Sequence, residues 1–140
     1  QDKVEHSLIV SNCDIIINAN YFEMSEFHKQ HDYDITIIGS FRHFTIPYGI
    51  CHIENGGALT RIQEKPEYDY LVNTGMYFLK KDVLKLIPRD EFYNITDLIN
   101  HVQTQGGRVG VFPIDSKSWI DIGQWDEYHK SIKALEVKHG

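Results

Sequence analysis

The chain has 140 residues, 41% hydrophobic and 12% aromatic, which suits one domain or a large part of a bigger one and supplies material for a core. That composition excludes an intrinsically disordered chain. Twenty acidic against fourteen basic residues give a net charge of −6, and the densest basic cluster is only Lys80, Lys81 and Lys85, so neither nucleic acid nor an anionic membrane is an expected partner.

Residues 7–11 form a short apolar run that ends at Asn12-Cys13-Asp14 and reads as a buried strand. Asn20 followed by Glu23 is a capping-box-like helix start, with Tyr21, Met24, Phe27 and His31 on one face. Residues 34–40 (DITIIGS) are β-branched and strand-like. Residues 49–53 and 59–64 flank Asn55-Gly56-Gly57, a hairpin turn in which glycine accepts positive φ. Residues 71–79 form another strand, and 82–87 a short helix stopped by Pro88. Asn94 and Asp97 cap a helix carrying Ile95, Leu98, Ile99 and Val102 at helical spacing, closed by Gly106-Gly107. Strands over 109–114 and 119–122 follow, then a last helix with Trp125, Tyr128, Ile132 and Leu135. The alternation gives an α/β fold with a mixed sheet, the hairpin supplying the antiparallel part.

Cys13 and Cys51 fall in strand-like runs and are too few for a disulfide framework. No Cys-x-x-Cys or Cys/His spacing points to zinc, and the eight histidines read as solvated or core-edge residues. With no apolar run of about 18 residues and no N-terminal signal pattern, the expected location is cytoplasmic.

Asp14 stands just past a strand end, where open α/β sheets bind ligands, and Asp121 in Trp119-Ile120-Asp121-Ile122-Gly123 stands at another. Mg²⁺ favours one or two such carboxylates plus substrate phosphates. The plainer alternative for each is a cap of local backbone N–H groups. In Glu64-Lys65-Pro66, proline favours an extended Lys65, whose ammonium suits a phosphate, and Glu64 suits sugar hydroxyls. Pro47-Tyr48-Gly49 and Asn73-Thr74-Gly75 each set a glycine beside hydrogen-bonding groups, a pattern shared by ligand contacts and by bulges. No Gly-x-Ser-x-Gly elbow or Cys–His pair suggests a nucleophile.

Taken in order, Ser11-Asn12-Cys13-Asp14, Pro47-Tyr48-Gly49-Ile50, Glu64-Lys65-Pro66, Asn73-Thr74-Gly75-Met76-Tyr77 and Trp119-Ile120-Asp121-Ile122-Gly123 resemble the sugar-phosphate nucleotidyltransferase family, which includes mannose-1-phosphate guanylyltransferases and glucose-1-phosphate thymidylyltransferases. The resemblance spans residues 7–132. It implies a Rossmann-like, nucleotide-diphospho-sugar transferase-like sheet with flanking helices. It implies that Asp14 and Asp121 hold a catalytic Mg²⁺ and that Lys65 acts with them on the sugar's phosphate. Glu64, Asn73, Thr74 and the Gly49 backbone would form the substrate site. Cys13 stands where many relatives have glycine. The family's Gly-Gly-x-Gly-Thr-Arg loop and downstream Pro-Lys, which receive a triphosphate, do not occur in the sequence.

The expectation is therefore that residues 1–140 form the C-terminal portion of a single catalytic domain, its N-terminal nucleotide-binding part lying outside the chain. The reaction implied joins a sugar 1-phosphate to an NTP, giving an NDP-sugar and pyrophosphate, with this chain inactive alone. Two rivals are a non-catalytic sugar-phosphate-binding regulatory domain and a metal-dependent glycosyltransferase, though the latter usually carries Asp-x-Asp and Asn12-Cys13-Asp14 supplies one acid. Sugar, base and homo-oligomerisation are left open. The geometric expectation is sharp: Asp14, Asp121 and Lys65 open onto one cleft.

Overall fold

The computed structural model describes residues 7–125 and residue 129. Tyr128, Ile132 and Leu135 of the expected last helix lie outside the described residues. In chain order the elements are β1 (Ser7–Ser11), β2 (Ile15–Ile17), α1 (Tyr21–Gln30), β3 (Ile35–Thr45), β4 (Ile50–Ile53), β5 (Leu59–Gln63) and β6 (Glu67–Lys80). A 3₁₀ helix (Lys81–Leu86), α2 (Ile95–Thr104), β7 (Val109–Ile114), a 3₁₀ turn (Ser116–Ser118) and β8 (Trp119–Asp121) follow.

The main sheet has the order β1-β6-β3-β7. β3 and β7 are parallel, and β6 is antiparallel to both β1 and β3. The sheet is mixed, as the sequence implies, but β6 is the reason. The hairpin of β4 and β5, with Gly56 and Gly57 at φ 85° and 82°, forms a separate two-stranded sheet.

Alternation along the strands sends Ile38, Met76 and Phe78 to one face, where they pack with Met24 of α1, Ile17 and Ile114. Ile35, Tyr77 and Leu79 go to the other face, against Leu98 and Val102 of α2 and Val83. Helices thus cover both faces, and each fully buried Leu or Phe contributes about 1.5–3 kcal/mol.

The Asn20 carboxamide oxygen accepts from the N–H groups of Phe22 (3.1 Å) and Glu23 (3.3 Å), starting α1. Its Nδ2 donates to Glu23 Oε1 at 2.9 Å, closing a reciprocal cap. Asn94 begins α2 differently, donating from Nδ2 to Asp97 Oδ2 at 3.0 Å. Gly106 at φ 80° and the Gly107 N–H bond to Val102 O (2.9 Å) end that helix. His28 departs from a core-edge role. It is buried, with Nδ1 2.8 Å from Thr36 Oγ1, because α1 lays Met24 and His28 inward rather than Tyr21 and His31.

β3 and β6 run well past their expected ends. Pairing continues from Ser40–Val72 to Thr45–Glu67, making an exposed two-stranded arm that carries the hairpin. Its alternating aromatic and charged residues hide a strand pattern that lacks a buried face. At the base of the arm the register shifts between Ile37 and Gly39, so Thr74, Gly75 and Met76 of β6 stand against Ile38 alone. The Thr74 hydroxyl donates to Ile38 O at 2.8 Å, replacing a lost ladder bond.

β1 is not the buried strand its apolar run suggests. Among the described residues it pairs on one side only, and Leu8, Ile9 and Val10 are 36%, 51% and 39% exposed. An open apolar edge recruits further strands. The 140-residue chain is expected to self-associate in sedimentation velocity, with Ile9→Lys shifting it toward monomer. A wild-type chain that stays monomeric at millimolar concentration would contradict this reading of the edge.

Candidate functional site

β2 and β8 pair antiparallel, setting Ile15 opposite Asp121, and the Ile122 N–H donates to Asp14 O at 2.8 Å. Two residues from opposite ends of the sequence are thereby brought side by side. Gly123 lies between their side chains. A Cβ there would fall 2.7 Å from Asp14 Oδ2 and 3.3 Å from Asp121 Oδ1. The two oxygens converge on a space that glycine leaves clear, and they cannot be further apart than the sum of those distances. Asp121 Oδ1 also accepts from the Gln124 N–H at 3.3 Å, so a cap and a carboxylate facing Asp14 coexist in one side chain. No third His, Cys, Asp or Glu completes a metal-holding group among the described residues. Such a set fits a hard divalent cation that keeps water and phosphate oxygens in its shell; it does not fit a four-ligand zinc cage.

A second cluster adjoins the first through Asn12. Its N–H donates to Gly75 O at 2.9 Å, and Gly75, at φ 90°, has no Cβ to collide with the Asn12 side chain. Exposed Asn73 accepts from the Gly75 N–H (2.9 Å) and donates to Tyr77 Oη (2.7 Å). Thr74, expected among the ligand contacts, turns inward; at 2% exposure its hydroxyl is committed to Ile38 O. The bulge accompanies both directions: where three residues of β6 stand against Ile38, Thr74 turns to the core and Asn73 stays outside.

The third cluster sits at the arm's far end. A Cβ on Gly49 would lie 3.1 Å from Glu64 Oε2, and the Ile46 N–H donates to Pro66 O at 3.0 Å, so the Pro-Tyr-Gly and Glu-Lys-Pro pieces face each other. Lys65 is not extended as the following proline leads one to expect. Its φ is 39°, a left-handed residue that reverses the chain between β5 and β6.

A cleft of about 1010 Å³ runs beside Asp121, lined by Arg42, His43, Phe44, Lys117, Trp119 and Trp125 among others. Its lining holds three basic side chains and one acid, in a chain whose net charge is −6. Lys65 is not part of that lining. The structure therefore joins Asp14 with Asp121, and Gly49 with Glu64. Arg42 and His43 were not singled out as site residues because the arm's continuation of β3 was missed; their signal is the basic pair between Phe41 and Phe44. Lys117, in the 3₁₀ turn before β8, carried no such signal.

His43 Nδ1 lies 2.8 Å from Asp69 Oδ1 across the arm. That hydrogen bond raises the His43 pKa above its ordinary 6.5, against a smaller desolvation effect, with the charges of Asp69 and Glu67 adding to the rise. A raised folded-state pKa means the pair's stabilisation is fully present below the unfolded value and is lost as pH rises through the folded one. Imidazole shifts followed by NMR should titrate above pH 6.5 in the wild type and fall back toward it in Asp69→Asn. Identical midpoints in the two proteins would remove the pair.

Fold and site together define a mixed α/β domain with paired strand-end carboxylates beside a basic cleft. No helix among the described residues is long and apolar enough to cross a membrane. The chain belongs to the sugar-phosphate nucleotidyltransferase family: residues 1–138 match the family described as nucleotidyl transferase. Glucose-1-phosphate adenylyltransferase of Bacillus licheniformis is 31% identical over 130 residues, covering 85% of this chain and 34% of that enzyme. Mannose-1-phosphate guanyltransferase of Yarrowia lipolytica is 27% identical, over 87% of this chain and 34% of its own length. UTP–glucose-1-phosphate uridylyltransferase of Synechocystis is 24% identical, over 96% and 37%. The chain thus spans about a third of the length of these relatives. The crystal structure of HddC from Yersinia pseudotuberculosis shares the fold, with a TM-score of 0.56 at 24% identity, covering 92% of this chain and 55% of HddC.

Proposed function

We propose that this chain is the sugar-phosphate and metal-binding half of a sugar-1-phosphate nucleotidyltransferase. The intact enzyme would join a sugar 1-phosphate to an NTP and release pyrophosphate. The observation that carries this reading is the convergence of Asp14 and Asp121 on the bare Gly123, beside a basic cleft in an acidic chain. The relatives act, by their names, on glucose 1-phosphate and mannose 1-phosphate, which fits an anionic sugar ligand.

Asp14 and Asp121 would hold the Mg²⁺, leaving the rest of its shell to water and phosphate oxygens. When bound, the ion supplies charge neutralisation and Lewis acidity to the phosphates. Phosphoryl-type transfer otherwise needs alignment, and alignment is what these residues offer. Glu64 and the Gly49 backbone face each other where sugar hydroxyls could bridge them, Asn73 presents its amide at the bulge, and Thr74 fixes that bulge from the core side. Lys65 would offset charge on the sugar's phosphate. No general base is needed, because a sugar phosphate is already ionised at neutral pH. Nucleotide binding falls to residues outside this chain, which has no glycine-rich triphosphate loop.

Pyrophosphate release by the full-length protein, assayed with a panel of NTPs and sugar 1-phosphates, tests the reading. Metal-dependent turnover is expected from the full-length protein and none above background from the 140-residue chain. Turnover by this chain alone would overturn the division of labour.

A further inference from the structure

Asn12 joins the metal and substrate clusters without belonging to either. Its N–H donates to Gly75 O at 2.9 Å, extending the β1–β6 ladder one step past the Ser11–Met76 pair. Its side chain lies against the α-carbon of Gly75: a Cβ there would fall 2.4 Å from Asn12 Nδ2 and 2.8 Å from Asn12 Cγ. Only glycine leaves that space, and its φ of 90° is a left-handed conformation that side chains resist. Asn73 grips the same glycine, accepting from its N–H at 2.9 Å and donating to Tyr77 Oη at 2.7 Å. Tyr77 is 4% exposed and packs in the core against α2, so Gly75 stands on a rigid base. Two residues beyond Asn12, Asp14 accepts at its carbonyl from the Ile122 N–H at 2.8 Å. The turn that carries Asp14 is thus pinned at its far end by β8 and at its near end by the seat of Asn12 on Gly75. The Asn12 carboxamide makes no hydrogen bond among the described residues, so what it gives the turn is shape.

We infer that Asn12 is a positioning residue for Asp14: seated on Gly75, it fixes the metal carboxylate relative to Asn73. This rests on the proposed function for the metal, and adds to it the part that sets the spacing between ion and substrate contacts. One glycine serves both sides, because Asn73 bonds its N–H while Asn12 covers its α-carbon. A metal ligand that loses such support keeps its charge and loses its aim, which costs about 10–100-fold in metal affinity. The property required is a side chain branched at Cγ, which leucine reproduces in outline and alanine lacks.

Calorimetric titration of the full-length protein with Mn²⁺, with steady-state kinetics and a melting curve on the same samples, tests this. Asn12→Ala is expected to weaken Mn²⁺ by about 10-fold or more and to lower kcat, with the KM for sugar phosphate within about threefold of wild type. Asn12→Leu, which restores the branch without the amide, should return Mn²⁺ affinity to within about threefold of wild type. Asn12→Ser, equally short but polar, gives the same comparison should Asn12→Ala fail to fold. A merely structural role would lower the melting temperature and leave the Mn²⁺ affinity of the folded protein unmoved. The inference is overturned if the short variants bind Mn²⁺ within about twofold of wild type. It is equally overturned if Asn12→Leu is no better than Asn12→Ala, since the amide and not the shape would then be what matters. A wild type that binds no Mn²⁺ removes the metal site of the proposed function too, whereas Mn²⁺ binding lost in Asp14→Asn but intact in Asn12→Ala removes this inference alone.

Discussion

Asp14→Asn or Asp121→Asn in the full-length enzyme is expected to lower kcat by about 10²–10³-fold while the KM for sugar phosphate changes by less than about threefold. The asparagine keeps the shape of the side chain and removes its charge. A cation held by two carboxylates acts mainly on the phosphate being transferred, so the loss appears in turnover more than in sugar binding. Asp121 gives the cleaner comparison because it also caps the Gln124 N–H. Were capping its whole role, Asp121→Asn would cost at most about 0.5–2 kcal/mol of stability and leave kcat nearly intact. Steady-state kinetics and a melting curve on the same sample separate the two.

Gly123→Ala is the second large effect. The added methyl would sit 2.7 Å from Asp14 Oδ2, so that carboxylate must swing away from Asp121. The backbone there imposes no left-handed conformation on alanine. Metal affinity should fall about 10–100-fold, the scale seen when a ligand's positioning is disturbed, with both acids still present. Isothermal titration with Mn²⁺ measures it. Unchanged affinity would mean that the two carboxylates do not share an ion.

The helices and the central strands were legible because each has a buried face or a clear start: period 3.6 in α2, the apolar run in β6, the cap at Asn20. The convergence of Asp14 and Asp121 followed from the order of the family-like pieces, since neither residue alone distinguishes a ligand from a cap. What stayed hidden has physical causes. The arm from residue 41 to 45 and from 67 to 71 buries no side chain fully, so no hydrophobic period marks it; Arg42 went unnoticed with it, and His43 was read only as a solvated or core-edge histidine. The inward turn of Thr74 depends on a bulge that only the opposing strand's register reveals. Lys65 was judged from the proline after it, but chain reversal between β5 and β6 outweighs that local preference.

Paramagnetic broadening by Mn²⁺, added to the isotopically labelled chain with glucose 1-phosphate present, tests most directly whether Asp14 and Asp121 share one metal. Broadening should begin at the amides of Asp14, Ile15, Asp121, Ile122 and Gly123 and disappear in Asp14→Asn. Broadening centred instead on Asp32 and Asp34 beside Lys80, with Asp14 and Asp121 sharp, would contradict it.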